Sequence, residues 1–183
     1  PDIPLFYRGS VQEMADYSKL CYGIIKRENP DIEVVGLGLA TPAETKNTFL
    51  DKLLNQVSLD NFDAISYHPY TEGRRHPARG HFRDVVKGFY SKVESFGPVP
   101  PLWATEFGWF GLAHDAKKFV PYKNPFVARE ILDEKESAEA YIQSICTAFA
   151  NGVEKAFYFT LLEGNVLDLS LIHISEPTRP VHI

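Results

Sequence analysis

A carboxylate at the end of an apolar run is the residue with the clearest chemical potential in this sequence. Residues 101–109 read PLWATEFGW, so the run ends on Glu106 and continues into Phe107, Gly108 and Trp109. Short apolar runs of this kind are typical of a strand that is buried on both faces. Barrel enzymes place catalytic groups at the carboxyl-terminal ends of such strands. The pattern therefore indicates either a catalytic carboxylate or an acid that is merely solvated at a strand end.

A second polar cluster follows an earlier apolar run. Residues 62–67 read FDAISY and predict a strand that leads into His68, Pro69 and Tyr70. If the two strands are parallel neighbours, their carboxyl ends meet at one edge of the sheet, and His68 and Tyr70 then lie beside Glu106. A hydroxyl or imidazole there can hydrogen-bond the carboxylate and favour its charged form. The alternative for His68 is a structural histidine, and the residues after Tyr70, up to His76, predict a solvated polar loop.

Helices and strands alternate around these residues. Apolar spacing predicts helices at 10–28, 41–57, 82–97 and 133–151, and strands at 32–37, 62–67, 103–106 and 154–160. Two helix starts are marked by capping boxes, Ser10 with Glu13 and Asp133 with Glu136. Alternation of this kind predicts an α/β fold with a parallel sheet and right-handed crossovers.

The apolar stripes of the first and last helices are expected to face the core. In the first helix this stripe includes Tyr17, Leu20 and Ile24, and in the last it includes Ile142 and Phe149. The two cysteines, Cys21 and Cys146, fall at apolar positions of the same helices. They are therefore expected to be buried free thiols.

Two parallel architectures compete for this pattern: a doubly wound open sheet and a (β/α)8 TIM barrel. A nucleotide-binding open sheet needs a glycine-rich turn after a strand, and the sequence has none. Polar and aromatic residues instead follow several different strands, which favours the barrel. A complete barrel needs about 250 residues. The sequence predicts four strands, so we expect a partial barrel over residues 1–168, at most half of a complete one.

Composition excludes several classes of function. The net charge of −5 gives no basic footprint for nucleic acid. No apolar run approaches the ~20 residues of a membrane span. No histidine or cysteine spacing suits a metal, and no motif indicates a cofactor, so none is expected. The compartment and the oligomeric state stay open.

Three motifs resemble parts of glycoside hydrolase clan A, whose members are TIM-barrel retaining glycosidases. WATEFGW at 103–109 is similar to the nucleophile strand, the seventh of the barrel, and SYHPY at 66–70 is similar to the sixth strand. The helix that ends in IKRENPD at 25–31, with the strand after it, resembles the fourth helix and fifth strand. The resemblance therefore implies that the partial barrel comprises about strands 5–8 with helices 4–7. The likeness covers about residues 1–165 and is closest to family 39 and family 5-like sequences. It departs from the clan after the last strand, where a frequent tryptophan is absent at 159–162.

The resemblance implies a retaining glycosidase that cleaves a β-linked carbohydrate. Glu106 is then the nucleophile, and His68, Tyr70 and Trp109 bind substrate, although Trp109 is as well suited to packing at the barrel rim. In this clan the acid/base is the glutamate of an Asn-Glu-Pro motif, so we expect it immediately before Pro1 and expect residues 1–183 alone to be inactive. A non-catalytic carbohydrate-binding relative, or a barrel enzyme of another class such as a lyase or isomerase, remains open.

The carboxyl-terminal residues 169–183 do not fit the βα pattern. Residues 169–179, LSLIHISEPTR, resemble the translation of a transposase adapter used to prepare sequencing libraries. We therefore expect a non-native tail on a metagenomic gene fragment and exclude it from the fold. A genuine polar extension is the alternative.

Overall fold

The fold is a four-stranded parallel sheet with helices between its strands. The computed structural model describes residues 7–40, 48–71, 75–111 and 131–159. Its helices are α1 (Val11–Glu28), α2 (Thr48–Leu54), α3 (Phe82–Glu94) and α4 (Glu134–Ala150), with a 3₁₀ turn at Leu59–Asn61. Its strands are β1 (Val35–Leu39), β2 (Ala64–Tyr67), β3 (Leu102–Phe107), β4 (Phe110–Gly111), β5 (Ile131–Leu132) and β6 (Val153–Tyr158).

The main sheet has the order β1-β2-β3-β6, and each neighbouring pair is parallel. The predicted α/β class and parallel sheet are therefore confirmed. A second sheet, which the sequence did not predict, pairs the short strands β4 and β5 in parallel. Its two strands flank residues 112–130, which lie outside the described residues.

Both predicted capping boxes are present. The Ser10 hydroxyl accepts the Glu13 backbone N–H, and the Glu13 carboxylate accepts the Ser10 backbone N–H at 2.7 Å. Asp133 and Glu136 make the same reciprocal pair at the start of α4. Each box satisfies two backbone donors that a helix start leaves without partners, which explains why these two starts could be predicted to the residue.

Strand β1 begins three residues later than the sequence predicts, because a turn occupies the first part of the predicted strand. The Asn29 side chain accepts the backbone N–H of Asp31, and the backbone N–H of Ile32 donates to the Asn29 carbonyl. The chain is therefore still turning at Ile32. Local side-chain bonds of this kind compete with a strand for the same backbone groups.

Asp63 ties α1 to the sheet. Its Oδ2 lies 2.7 Å from Lys26 Nζ and accepts the backbone N–H of Val34 at 2.7 Å. The Lys26 side chain and, next, the Val34 N–H hold the pKa of Asp63 below its usual range. The carboxylate therefore stabilises the fold above the unfolded-state pKa of about 3.9, and this contribution is lost as the pH falls through the lower folded value.

We expect Asp63→Asn to lower the free energy of unfolding by about 1–2 kcal/mol at neutral pH. Because the wild-type carboxylate loses its charge in acid, the difference should shrink at a pH below the folded pKa. Urea unfolding at neutral and acidic pH measures both values. Asp16→Asn, at an exposed position of α1, is the control. An Asp63→Asn defect that is equal at both pH values would contradict the assigned role of the charge.

The apolar stripe of α1 is not buried as predicted. Ala15 is the buried residue of this helix, whereas Tyr17, Leu20 and Ile24 are 59%, 58% and 42% exposed. Helix α1 packs against α2 and the 3₁₀ turn, and these contacts leave the three side chains exposed. Cys21 is also exposed, which corrects the prediction of a buried thiol.

Helix α4 is likewise rotated relative to the prediction. Its buried residues are the small Ala140, Ser144 and Ala148, while Ile142 and Phe149 are 58% and 50% exposed. Small side chains let the helix approach β6 closely, and the bulky residues then point elsewhere. Cys146 is exposed for the same reason, so the prediction of a buried thiol is wrong here too.

Candidate active site

Strand register brings the predicted site residues to one end of the sheet. Tyr67, the last residue of β2, pairs with Ala104 of β3. His68 therefore follows the end of β2, and Glu106 lies two residues beyond Ala104 in the same direction. Both are at the carboxyl-terminal edge, where parallel α/β folds place their ligand sites.

Glu106 has a polar partner at each carboxylate oxygen. The Tyr70 hydroxyl donates to Oε1 at 2.7 Å, and His68 Nδ1 lies 3.9 Å from Oε2. The Glu106 side chain is 36% exposed and that of His68 is 23% exposed. The carboxylate is thus held in one orientation but still reaches solvent, as a nucleophile or a base requires.

The loop after β2 holds His68 and Tyr70 in place. The His68 backbone N–H donates to the Leu39 carbonyl at 2.8 Å, and the Tyr70 N–H donates to the His68 carbonyl at 2.7 Å. The two rings meet edge to face, with centroids 6.4 Å apart. These backbone hydrogen bonds position both residues relative to β1 and β2, independently of the contacts with Glu106.

Trp109 is 6% exposed. Its ring packs edge-on against Phe82 and Phe107, with centroids 5.5 and 6.3 Å away. Its backbone N–H points to the Tyr158 hydroxyl at 3.4 Å, and burial raises the pKa of Tyr158. These contacts agree with the alternative in which Trp109 packs against neighbouring side chains. A role as a platform for a sugar ring stays a prediction.

Sequence reasoning missed the contact that anchors this loop to β3. The indole Nε1–H of Trp109 and the hydroxyl of Thr71 both donate to the backbone carbonyl of Arg75. His76, in the predicted solvated loop, is 4% exposed and so corrects that prediction. A backbone carbonyl acceptor leaves no signature in the sequence, so these donors could not be assigned from residue types alone.

A lysine on β6 is a second group that the sequence analysis did not single out. Lys155 Nζ lies 3.8 Å from the centroid of the Trp103 ring and 3.4 Å from Glu33 Oε2. The signal in the sequence was a pair of charged residues, Glu154 and Lys155, at the start of an otherwise apolar strand. The contact links β6, one edge strand of the sheet, to the segment before β1, the other edge strand.

Several predicted features lie outside the described residues, among them Glu72 and Arg74 of the predicted polar loop and the tail 169–183. Within the described ranges, no group of three or more histidine, cysteine, aspartate or glutamate residues could hold a metal ion. No described helix is long and apolar enough to span a membrane.

Comparison of sequences identifies no relative. No family model matches the chain, and no curated protein is significantly similar to it. Solved structures do match its fold. A glucosidase from Croceicoccus marinus superposes with a TM-score of 0.62 at 17% identity, covering 85% of this chain and 30% of that one.

Two further solved structures agree. A family 51 α-L-arabinofuranosidase from Bifidobacterium longum gives a TM-score of 0.53 at 18% identity, covering 84% of this chain and 34% of the other. A fungal β-1,4-galactanase gives 0.51 at 18% identity, covering 81% and 44%. The described chain shares its fold with part of these glycoside hydrolases. It spans less than half the length of each.

Proposed function

We propose that this chain is the carboxyl-terminal half of a retaining glycoside hydrolase barrel, related to clan A and closest to family 39 or family 5-like enzymes. The observation that carries the proposal is the 2.7 Å hydrogen bond from Tyr70 to Glu106 at the carboxyl-terminal edge of a parallel sheet. The likeness in fold to several glycosidases supports it. The substrate is a β-linked carbohydrate.

In this proposal Glu106 attacks the anomeric carbon of the sugar. The glycosidic bond breaks, the leaving group takes a proton from a second carboxylic acid, and a glycosyl ester forms on Glu106. Water, deprotonated by the same second carboxylate, then releases the sugar with its original configuration. Tyr70 and His68 orient the Glu106 carboxylate, and the Tyr70 hydroxyl stabilises its charge when the ester breaks.

The second carboxylic acid belongs to a strand other than β2 and β3. The groups that the structure places against Glu106 are a phenol and an imidazole, and the retaining mechanism needs two carboxyl groups about 5–5.5 Å apart. We assign it to an Asn-Glu-Pro motif on a strand of the complete barrel. Residues 1–183 alone are then inactive, and residues 169–183 form no part of the barrel.

Tyr70→Phe in a chain that completes the barrel should lower kcat/KM by about 10–100-fold, because one charge-stabilising donor is lost while the ring stays. Hydrolysis of aryl β-glycosides measures this. Tyr67→Phe is the matched control, since its buried hydroxyl has no partner within the described ranges and its loss should leave kcat/KM unchanged. Equal activity of Tyr70→Phe and the control would refute the assigned role of Tyr70.

A further inference from the structure

Among the described residues, the exposed large apolar side chains are confined to the two lateral edges of the sheet and the helices beside them. Strand β1 is one edge of the sheet and β6 is the other. Among the described residues, helices α2 and α3 and strands β2 and β3, which form the middle, expose no large apolar side chain. Both ends do. A monomer in water would normally cover or charge such edges.

The first apolar end is built from α1 and the residues around β1. Tyr17, Leu20 and Ile24 form one stripe along two turns of α1, about 10 Å long. Ile32 and Val35, 49% and 36% exposed, continue it to the edge strand. We call this surface the α1 end.

The second apolar end is built from α4 and β6. Ile142 and Phe149 lie seven residues apart, so they also mark a stripe of two helical turns. Phe157, on the face of β6 that carries Lys155 and packs near Trp103, and Phe159, past the end of the strand, are 49% and 52% exposed. We call this surface the α4 end. Its stripe matches that of the α1 end in length.

We propose that a second copy of this chain covers both surfaces, with the α4 end of each copy against the α1 end of the other. Because all strands of the sheet are parallel, β6 of one copy can continue the sheet into β1 of the next in the same direction. Two such joints close a ring of eight parallel strands around a two-fold axis. Eight strands is the number at which a barrel interior is just filled by side chains.

Closure removes every open edge, whereas a joint that failed to close would propagate into a filament. Closure also leaves Lys155 of the edge strand with partners, because this lysine already contacts Glu33 and the Trp103 ring of its own chain. The inference concerns residues 1–183 as a separate chain, in which a second copy takes the place of the strands that complete the barrel in the proposed function, and it does not depend on glycosidase activity.

The apolar area suits a stable dimer. In the described part of the chain four aromatic residues are each about half exposed: Tyr17, Phe149, Phe157 and Phe159. At ~150–250 Å² for a buried aromatic side chain, they offer roughly 300–500 Å² per copy. A standard stable interface removes about 800 Å² from each partner. The exposed aliphatic residues and the backbone of the two edge strands supply the remainder.

The test uses one charged substitution at each end and the oligomeric state at micromolar concentration. Leu20→Lys and Phe149→Glu should each raise the dissociation constant of the dimer by about 100-fold or more, since both joints then hold a charge against an apolar face. Mixing the two variants should restore the dimer. In the mixed dimer one joint keeps both wild-type faces, and the other pairs lysine with glutamate.

Sedimentation velocity measures the mass, and circular dichroism checks that each variant is folded. Tyr17→Lys with Ile142→Glu is a second pair in case one substitution unfolds the chain. Ser91→Lys and Ser91→Glu, exposed on the central helix α3, are the matched controls and should leave the dimer intact. A wild-type monomer, an open-ended series of larger species, or variants that mixing fails to restore would each overturn the proposal.

Discussion

Glu106→Gln in a chain that completes the barrel should reduce glycoside turnover by at least about a thousandfold. The amide is too weak a nucleophile to form the glycosyl ester, so the first step of the double displacement fails. The amide oxygen can still accept the Tyr70 hydrogen bond, which spans 2.7 Å in the wild-type protein. The fold should therefore be unchanged. Steady-state hydrolysis of aryl β-glycosides gives kcat, and urea unfolding gives the stability.

The matched control for this variant is Glu94→Gln. Glu94 is exposed at the end of α3, away from the carboxyl-terminal edge of the sheet. It removes the same charge from the protein, so any general effect of net charge would appear in both variants. Near-normal turnover by Glu106→Gln would exclude Glu106 as the nucleophile.

Gly108→Ala should be strongly destabilising, because the added side chain would meet backbone. A Cβ at this position would lie 2.0 Å from the backbone carbonyl oxygen of Phe159, far inside van der Waals contact. That carbonyl belongs to a segment fixed by the bond from the Phe159 N–H to the Phe107 carbonyl at 2.8 Å. Neither backbone can move without breaking the end of the β3–β6 pair. We expect a loss of about 2–4 kcal/mol in the free energy of unfolding.

Gly88→Ala separates this steric effect from the general effect of replacing glycine. Gly88 lies in α3, and an added Cβ there meets nothing within 4 Å. Alanine in a helix is favoured over glycine by about 0.5–1 kcal/mol, so this variant should be slightly stabilised. Urea midpoints compare the two directly. A Gly108→Ala protein as stable as Gly88→Ala would show that the approach of Phe159 to Gly108 is not tight in solution.

Sequence reasoning worked best where the signal was local. The capping boxes at Ser10 and Asp133 use residues three apart, and both helix starts were predicted correctly. The proximity of the candidate site residues could be predicted for another reason. His68, Tyr70 and Glu106 follow two runs that each read as strands, and parallel pairing brings the ends of such strands together.

The predictions that failed depend on which neighbour is present. Periodicity shows that Leu20 and Phe149 lie on an apolar stripe, but not that the stripe has another element to cover it. The packing of Trp109, one of the two alternatives for this residue, depends equally on distant residues, since Phe82 and Tyr158 enclose its ring. Spacing along the chain carries no information about such contacts, which are set by the tertiary packing.

The central claim is that Glu106 forms a covalent bond to the sugar, and one measurement tests it directly. A chain that completes the barrel is incubated with 2,4-dinitrophenyl 2-deoxy-2-fluoro-β-glycosides of glucose, galactose and xylose. The fluorine slows both steps, while the activated leaving group needs no acid catalyst, so the glycosyl-enzyme should accumulate. Mass spectrometry should show one fluoro-sugar per chain, on the peptide that contains Glu106. A label on another carboxylate, or hydrolysis with inverted configuration and no label, would contradict the account.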